Sequence, residues 1–342
     1  MIKINCWNEY DTLRTVILGN VYDLDRIPNL YQGKDQESFV KIVEETAAEL
    51  TEIRTVLEQN NVTVLQPKQP ANYGYAHSES IKIHSPLLNM RDFYLAYGHW
   101  LYLTYGSYRT RRYQHYWMED IINQLIKDDN FVVSSNEPNL DEIDWNDYKQ
   151  PQNWGEIYHN TYKDKNLLHT ACLLKYNNVA FLRQHPGTSI GKTWLTKMLS
   201  LQGIKIVEVG GKGHLDGTNA ILNKNTVLTA HTDKSWKIFK NHIIVPDGED
   251  HHKIFRDTQD TFLQDRNPTK WLTDWQGFSQ DFDPSINCLS LSPTKVMMSV
   301  YNKYVDTELK KLGFEIIYVN WSHRLFWEGG LHCITCDLER YP

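Results

Sequence analysis

The stretch His169-Thr170-Ala171-Cys172-Leu173-Leu174-Lys175-Tyr176-Asn177-Asn178-Val179-Ala180-Phe181-Leu182-Arg183-Gln184 decides the fold. Two strand-like runs, His169 to Leu174 and Val179 to Gln184, flank the pair Asn177-Asn178. Asparagine tolerates the left-handed backbone that a tight hairpin turn demands, so the pair marks a hairpin. A helix-like run from Ile190 to Leu201 follows, and Gly203 stops it. Ile204-Lys205-Ile206-Val207-Glu208-Val209 then alternates with the period of a strand. The unit is a hairpin, a helix and a further strand.

Working outward, the same unit returns. Asn219 to Leu222, Thr226 to Thr229, a short helix from Ser235 to Lys240 and a strand from His242 to Val245 form one copy. Ile286 to Leu291, Lys295 to Ser299, helix Asn302 to Leu312, Gly313 and strand Phe314 to Val319 form another. A looser copy has Phe93 to Tyr97, Leu101 to Tyr105, helix Arg112 to Lys127 and strand Phe131 to Val133. The first copy has strand Thr15 to Leu18, helix Ser38 to Gln59 and strand Val62 to Leu65, without a hairpin partner. Cys333 to Leu338 could supply that partner and close a ring, which would remove exposed sheet edges. An open mixed α/β sheet is the alternative, and periodicity leaves both standing. Polar spacers at Pro67 to Pro86, Ser134 to Leu168 and Pro246 to Pro284 separate the units, and long loops of this kind are often functional.

The composition of the 342 residues is globular: 41% belong to the hydrophobic set and 23% are charged, which excludes a disordered chain. The net charge of −6 disfavours a general nucleic-acid binder. No apolar run approaches the ~20 residues that cross a bilayer, and the N-terminus lacks the apolar core of a signal peptide. Five scattered cysteines suit a reducing compartment, so a soluble cytoplasmic protein without membrane or nucleic-acid partners is expected.

Three motifs can carry chemistry. In Glu328-Gly329-Gly330-Leu331-His332-Cys333-Ile334-Thr335-Cys336-Asp337, the glycines let the backbone turn sharply or approach a ligand. Cys333 reads as a thiolate nucleophile or as a small buried apolar residue. It also forms a CxxC with Cys336, but zinc would need a second ligand pair, and a redox CxxC should open a helix rather than a strand. In Gly211-Lys212-Gly213-His214-Leu215-Asp216-Gly217-Thr218, His214 and Asp216 share a face if the segment is extended. One could move a proton while the other binds a cation; a loop histidine and a turn aspartate are the plainer alternative. In Met90-Arg91-Asp92-Phe93, Asp92 could accept hydrogen bonds from a guanidinium, or Arg91 and Asp92 could cap a strand.

Two further motifs are set aside. Gly187-Thr188-Ser189-Ile190-Gly191-Lys192-Thr193 has one residue too few between its glycines for a phosphate loop. Asp247-Gly248-Glu249-Asp250-His251-His252 reads as a solvated charge run, because consecutive histidines point in different directions.

In this order the segments resemble the amidinotransferase family of guanidino-group modifying enzymes, glycine- and inosamine-phosphate-amidinotransferase-like. The resemblance runs from Trp7-Asn8-Glu9-Tyr10-Asp11-Thr12-Leu13 through Met90-Arg91-Asp92 and Arg109-Thr110-Arg111-Arg112-Tyr113. It continues through His214-Leu215-Asp216-Gly217-Thr218 and Ser285-Ile286-Asn287-Cys288-Leu289 to Gly329-Gly330-Leu331-His332-Cys333-Ile334-Thr335-Cys336-Asp337. It implies one domain over 1–342 with the α/β pentein fold, a five-bladed propeller of ββαβ units with pseudo-fivefold symmetry. It further implies Cys333 as nucleophile, His214 as acid and base, Asp92 and Asp216 as guanidinium clamps, and Ser285 near the reacting group, with Arg91 beside the clamp. No metal or organic cofactor is implied. The partners implied are a guanidino donor and an amine acceptor, with room for a homodimer.

The chain departs from the family where an Asp-Ala-Ala-Asp segment is usual. Leu168-His169-Thr170-Ala171-Cys172-Leu173 stands there, so His169 and Cys172 replace both aspartates in the expected substrate site. The expected function is amidino transfer from arginine or an analogue in specialised biosynthesis. A deiminase or dihydrolase, or a diverged pentein with an altered substrate or no catalytic activity, is the alternative.

Overall fold

The structure, a computed structural model, describes residues 1–29, 32–71, 85–106, 109–138, 165–183, 189–211, 213–245, 285–324, 326–327 and 329–342. The cluster from Asp247 to His252, the glycine that opens the phosphate-loop-like motif and most of the three spacers lie outside them.

The described residues form a mixed α/β structure with five separate three-stranded sheets. The first joins β1 (Thr12–Leu18) and β2 (Thr63–Leu65) to β15 (Thr335–Tyr341). The second holds β3 (Tyr94–Tyr97), β4 (Trp100–Leu103) and β5 (Phe131–Ser134). The third holds β6 (Leu173–Tyr176), β7 (Val179–Arg183) and β8 (Lys205–Val209). The fourth is β9 (Asn219–Asn223), β10 (Thr226–Thr229) and β11 (Asn241–Ile244), and the fifth β12 (Leu289–Ser292), β13 (Lys295–Met298) and β14 (Glu315–Tyr318). In every sheet the central strand pairs antiparallel with one neighbour and parallel with the other. In the first, β15 supplies the missing antiparallel partner, running from Thr12 opposite Tyr341 to Leu18 opposite Thr335.

Local chemistry explains the elements. Asn177 takes φ 55° and lets Tyr176 face Val179 across a two-residue turn. Helix α1 (Lys34–Gln59) buries Phe39, Val43, Thr46, Leu50, Ile53 and Leu57, a stripe with steps of three and four. Between it and the last helix lie α2 (Glu119–Lys127) and α3 (Ser189–Ser200). In α4 (Lys303–Lys311) the Asn302 side chain accepts from the amides of Tyr304 and Val305, and Gly313 with φ 82° ends the turn.

Two expected helices are shorter. The run from Arg112 to Lys127 is α-helical only over α2; Arg109–Met118 is a 3₁₀ segment. His115 there is tied to the Tyr94 hydroxyl at 2.8 Å and Trp117 is buried, so tertiary anchors override the local period. The helix expected at Ser235 to Lys240 is a single 3₁₀ turn, Lys234–Ile238, because β11 begins three residues later.

Burial falls from the first strand of each hairpin to the third strand. β3 is wholly buried, whereas Phe131, Val207, Ile244 and Tyr318 on the third strands are exposed. No described helix is long and apolar enough to cross a membrane.

Candidate active site

Site residues fall in the same place in all five sheets: just ahead of the buried first strand. Asp92 ends the 3₁₀ turn Met90–Asp92 before β3. His169 precedes the 3₁₀ turn Thr170–Cys172 before β6. His214 and Asp216 precede β9, Ser285 and Asn287 precede β12, and Cys333 precedes β15. The strands expected to start at His169, Ile286 and Cys333 start two to four residues later. Those leading residues stand outside the ladder and are free to aim their side chains at one another.

The Cys333 sulfur receives a hydrogen bond from Asn287 Nδ2 at 2.9 Å and donates to Asp216 Oδ2 at 3.4 Å. Asn287 Oδ1 in turn accepts from the backbone amides of His332 at 2.9 Å and Cys333 at 3.2 Å. One asparagine thus fixes both the backbone and the sulfur of the Cys333 segment. His332 Nδ1 donates to Asp216 Oδ2 at 3.0 Å, and Nε2 lies 3.3 Å from Glu9 Oε2. Burial and Arg91 pull the His332 pKa down, yet its bonds to Asp216 and Glu9 outweigh them and raise it. Asp216 is buried, and its Oδ1 accepts no hydrogen bond among the described residues.

Across from this group, Asp92, His169 and His214 form a second one. His214 Nδ1 lies 3.7 Å from Asp92 Oδ1, and its Nε2 lies 2.9 Å from His169 Nδ1. The His214 side chain is 30% exposed, while Asp92 and His169 are buried. Burial would push the Asp92 carboxyl up; Arg111 first, then His214 and His169, override it and hold it at about 2. Arg111 grips Asp92 Oδ2 through Nη1, and its guanidinium sits over the Phe93 ring at 4.3 Å. Arg183 braces the loop of His214 and Asp216, donating to the His214 carbonyl at 3.1 Å and to Thr218 Oγ1 at 2.8 Å.

Arg91 is turned toward the interior. Its Nη2 lies 3.1 Å from Asp337, and Nη1 lies 3.7 Å from Glu9. Lys175 sits 3.6 Å from Glu9 and 3.5 Å from Asp337, and Arg340 lies 2.9 Å from Asp337. All five side chains are buried, and His332 connects them to the cysteine segment. Cys172 is buried too, with its thiol facing the Gly213 carbonyl at 3.7 Å and pushed upward by burial. The five cysteines are free thiols; Cys336 faces the Tyr94 carbonyl and its pKa is pushed up to about 11 by burial.

Of the residues singled out in the sequence, the structure brings Cys333 into contact with Asp216, and Asp92, His169 and His214 into a second group. Sequence reasoning placed weight on Ser285, which is buried on the same turn, where Asn287 makes the contact to the sulfur. It missed Glu9, Asn287, Arg183 and His332 as site-holding residues. A polar Asn287 between apolar Ile286 and Cys288 was the available signal.

Gly330 packs against Asn287: a Cβ there would come within 2.6 Å of the Asn287 Cβ. Gly330→Ala is expected to cost about 1–3 kcal/mol by overpacking and to displace Asn287 from the sulfur. A denaturant titration together with the reactivity of Cys333 toward a thiol reagent checks both effects. An alanine variant as stable and as reactive as the parent would show that the contact is dispensable.

No family model matches the chain. It is 22% identical to the mitochondrial glycine amidinotransferase of Gallus gallus, over 98% of this chain and 82% of that protein. Its structure is similar to SxtG, an amidinotransferase of the saxitoxin biosynthetic pathway in Microseira wollei, with a TM-score of 0.73, 19% identity and coverage of 99% and 98% of the two chains. It is also similar to the inosamine-phosphate amidinotransferase StrB1 from Streptomyces griseus, with a TM-score of 0.72, 18% identity and coverage of 100% and 98%. The likeness to amidinotransferases read from the motifs holds along the whole chain.

Proposed function

We propose that this amidinotransferase-like chain moves an amidino group from a guanidino donor to an amine acceptor, through a covalent adduct on Cys333. The reading places the reaction at the centre of a five-bladed α/β propeller of pentein type. Five like sheets, site residues at the same place in each, and the pairing of β1 with β15 support that arrangement. The observation that carries the function is the position of Asp216. Its carboxylate touches both Cys333 and His332, while His214, two residues before it, faces Asp92.

The guanidino carbon is a poor electrophile because resonance spreads its charge. Carboxylates orient the planar cation by paired hydrogen bonds, and the unfilled Asp216 Oδ1 offers one such acceptor. A cation arriving there offsets the Asp216 charge beside the sulfur, and the Asn287 amide already donates to it; both favour the thiolate. The thiolate attacks the guanidino carbon and forms a C–S bond. The C–N bond to the donor breaks as protonated His214 gives its proton to the leaving amine. The acceptor amine, losing its proton to His214, then attacks the amidino carbon and releases the thiolate. Donor product leaves before acceptor enters, so the kinetics are ping-pong. The partners are two small molecules, and the pathway is a biosynthetic one.

Intact-protein mass spectrometry tests this reading. Incubation with arginine or another guanidino donor, without acceptor, should add one amidino group at Cys333, and an amine should discharge it. A ureido product formed without any acceptor would assign the protein to the hydrolases. No adduct across a broad donor panel would reject covalent transfer.

His169 should tune the donor. Restoring a carboxylate with His169→Asp adds a charge-assisted hydrogen bond worth roughly 1.5–3 kcal/mol, so the KM for arginine should fall roughly 10- to 100-fold. Initial-rate measurements over an arginine series check this; an unchanged KM would put His169 outside the donor subsite.

A further inference from the structure

We propose that Asp92, His169 and His214 form a binding site for a divalent transition ion of the Zn²⁺ class, and that the ion excludes the guanidino donor. The second half rests on the function proposed above; the first does not. One ligand atom from each residue lies within 4.8 Å of the other two. Two imidazoles and a carboxylate, with remaining positions open, are a common ligand set for such ions. His169 Nδ1 and His214 Nε2 stand 2.9 Å apart, close to the spacing of about 3.3 Å that two ligands take around a tetrahedral zinc with bonds near 2.0–2.1 Å.

The surroundings suit an ion. Asp92 divides its oxygens: Oδ2 holds Arg111, and Oδ1 faces His214. A carboxylate ligand fixed by a second partner on its other oxygen is the usual outer-sphere arrangement of metal sites. His169 is held edge-on against Phe93 at 5.5 Å, and Gly106 packs where a Cβ would collide with His169 Nε2. His214 is the partly exposed member, so it can adjust by the ångström that closure requires and an ion can enter beside it. A histidine at position 169 is what creates the pair. The same substitution that removes a negative charge from the donor clamp adds a nitrogen ligand next to the acid–base histidine. With His214 and Asp92 engaged by an ion, neither can serve the donor.

Cobalt(II) is the probe, because its visible absorption reports coordination directly. The untagged full-length chain, stripped with a chelator, should bind one equivalent of Co²⁺ with a visible band, and Zn²⁺ should displace it. His169→Asn should weaken binding by about 100-fold or more, since losing a direct ligand exceeds the 10- to 100-fold cost of an outer-sphere change. Should that variant fold poorly by circular dichroism, Asp92→Asn gives the second reading. No band at one equivalent, or a band that survives in a folded variant, overturns the site. Arginine at saturating concentration should erase the band; a band that persists overturns the exclusion. Failure of amidino transfer itself would appear as absent Cys333 adduct and leave the cobalt spectrum untouched.

Discussion

Cys333→Ala is expected to abolish turnover, with kcat lower by about 10⁴-fold or more, the scale on which loss of a covalent nucleophile acts. The variant should also fail to gain an amidino group from any donor. The fold should survive. Cys333 is small and buried, and its removal leaves Asn287 Nδ2 without its acceptor, a cost of about 1–2 kcal/mol. The backbone bonds from His332 and Cys333 to Asn287 Oδ1 remain. Donor binding should persist as well, because Asp92 and Asp216 are untouched, and calorimetric titration with the donor separates lost chemistry from lost binding. Turnover within tenfold of the parent would mean that no bond to this sulfur forms, and direct attack of acceptor on donor would replace the two-step scheme.

Asp337→Ala should produce the largest loss of stability. Asp337 receives Arg91 at 3.1 Å, Arg340 at 2.9 Å and Lys175 at 3.5 Å, all buried. Removing the anion takes the carboxylate partner from Arg340 and leaves Glu9 alone against Arg91 and Lys175, and a single broken buried pair costs about 3–5 kcal/mol. Equilibrium unfolding in urea reads this as a lower midpoint at unchanged slope. The acid limb adds a second signature. Burial raises the carboxyls of Asp337 and Glu9, but Arg340, Arg91 and Lys175 around the first, and Lys175, Arg91 and His332 around the second, more than reverse that. Glu9 falls to about 2 from 4.5, and Asp337 falls well below 3.8. Folded values below the unfolded ones stabilise the protein above about pH 4, and that contribution drains away as pH falls toward 2. Asp337→Ala should therefore flatten the acid limb as well as lower the plateau. An alanine variant with parental stability and parental acid sensitivity would show that the three cations need no counter-charge beyond Glu9.

The parts of the fold set by single-residue backbone demands were legible in advance. Asn177 and Gly313 sit at positive φ where a turn and a helix end were expected, and Gly203 with φ 73° likewise. The closing strand was legible because Cys333 to Leu338 follows the last copy of the unit, while the first copy lacks a hairpin partner. What periodicity does not encode is partner choice between distant residues. Asn287 reads as a turn residue until the amide of Cys333, 46 positions away, is brought to it. Glu9 reads as surface until Lys175 and His332 arrive. The 3₁₀ turn ahead of β6 was hidden for a different reason: Ala171 and Cys172 are as apolar as the strand they precede, so the run continues in composition while the ladder has yet to begin.

The pairing of β1 with β15 also bears on how the chain reaches its native state during synthesis. Thr15 waits for Glu339, 324 residues later in the chain. At about 5–20 residues per second, roughly 15 to 65 s of translation separate them. Throughout that interval one edge of β1 is bare, and such an edge is a template for pairing with a neighbouring nascent chain. The long delay makes the polysome, rather than the finished protein, the place where mispairing is most to be expected.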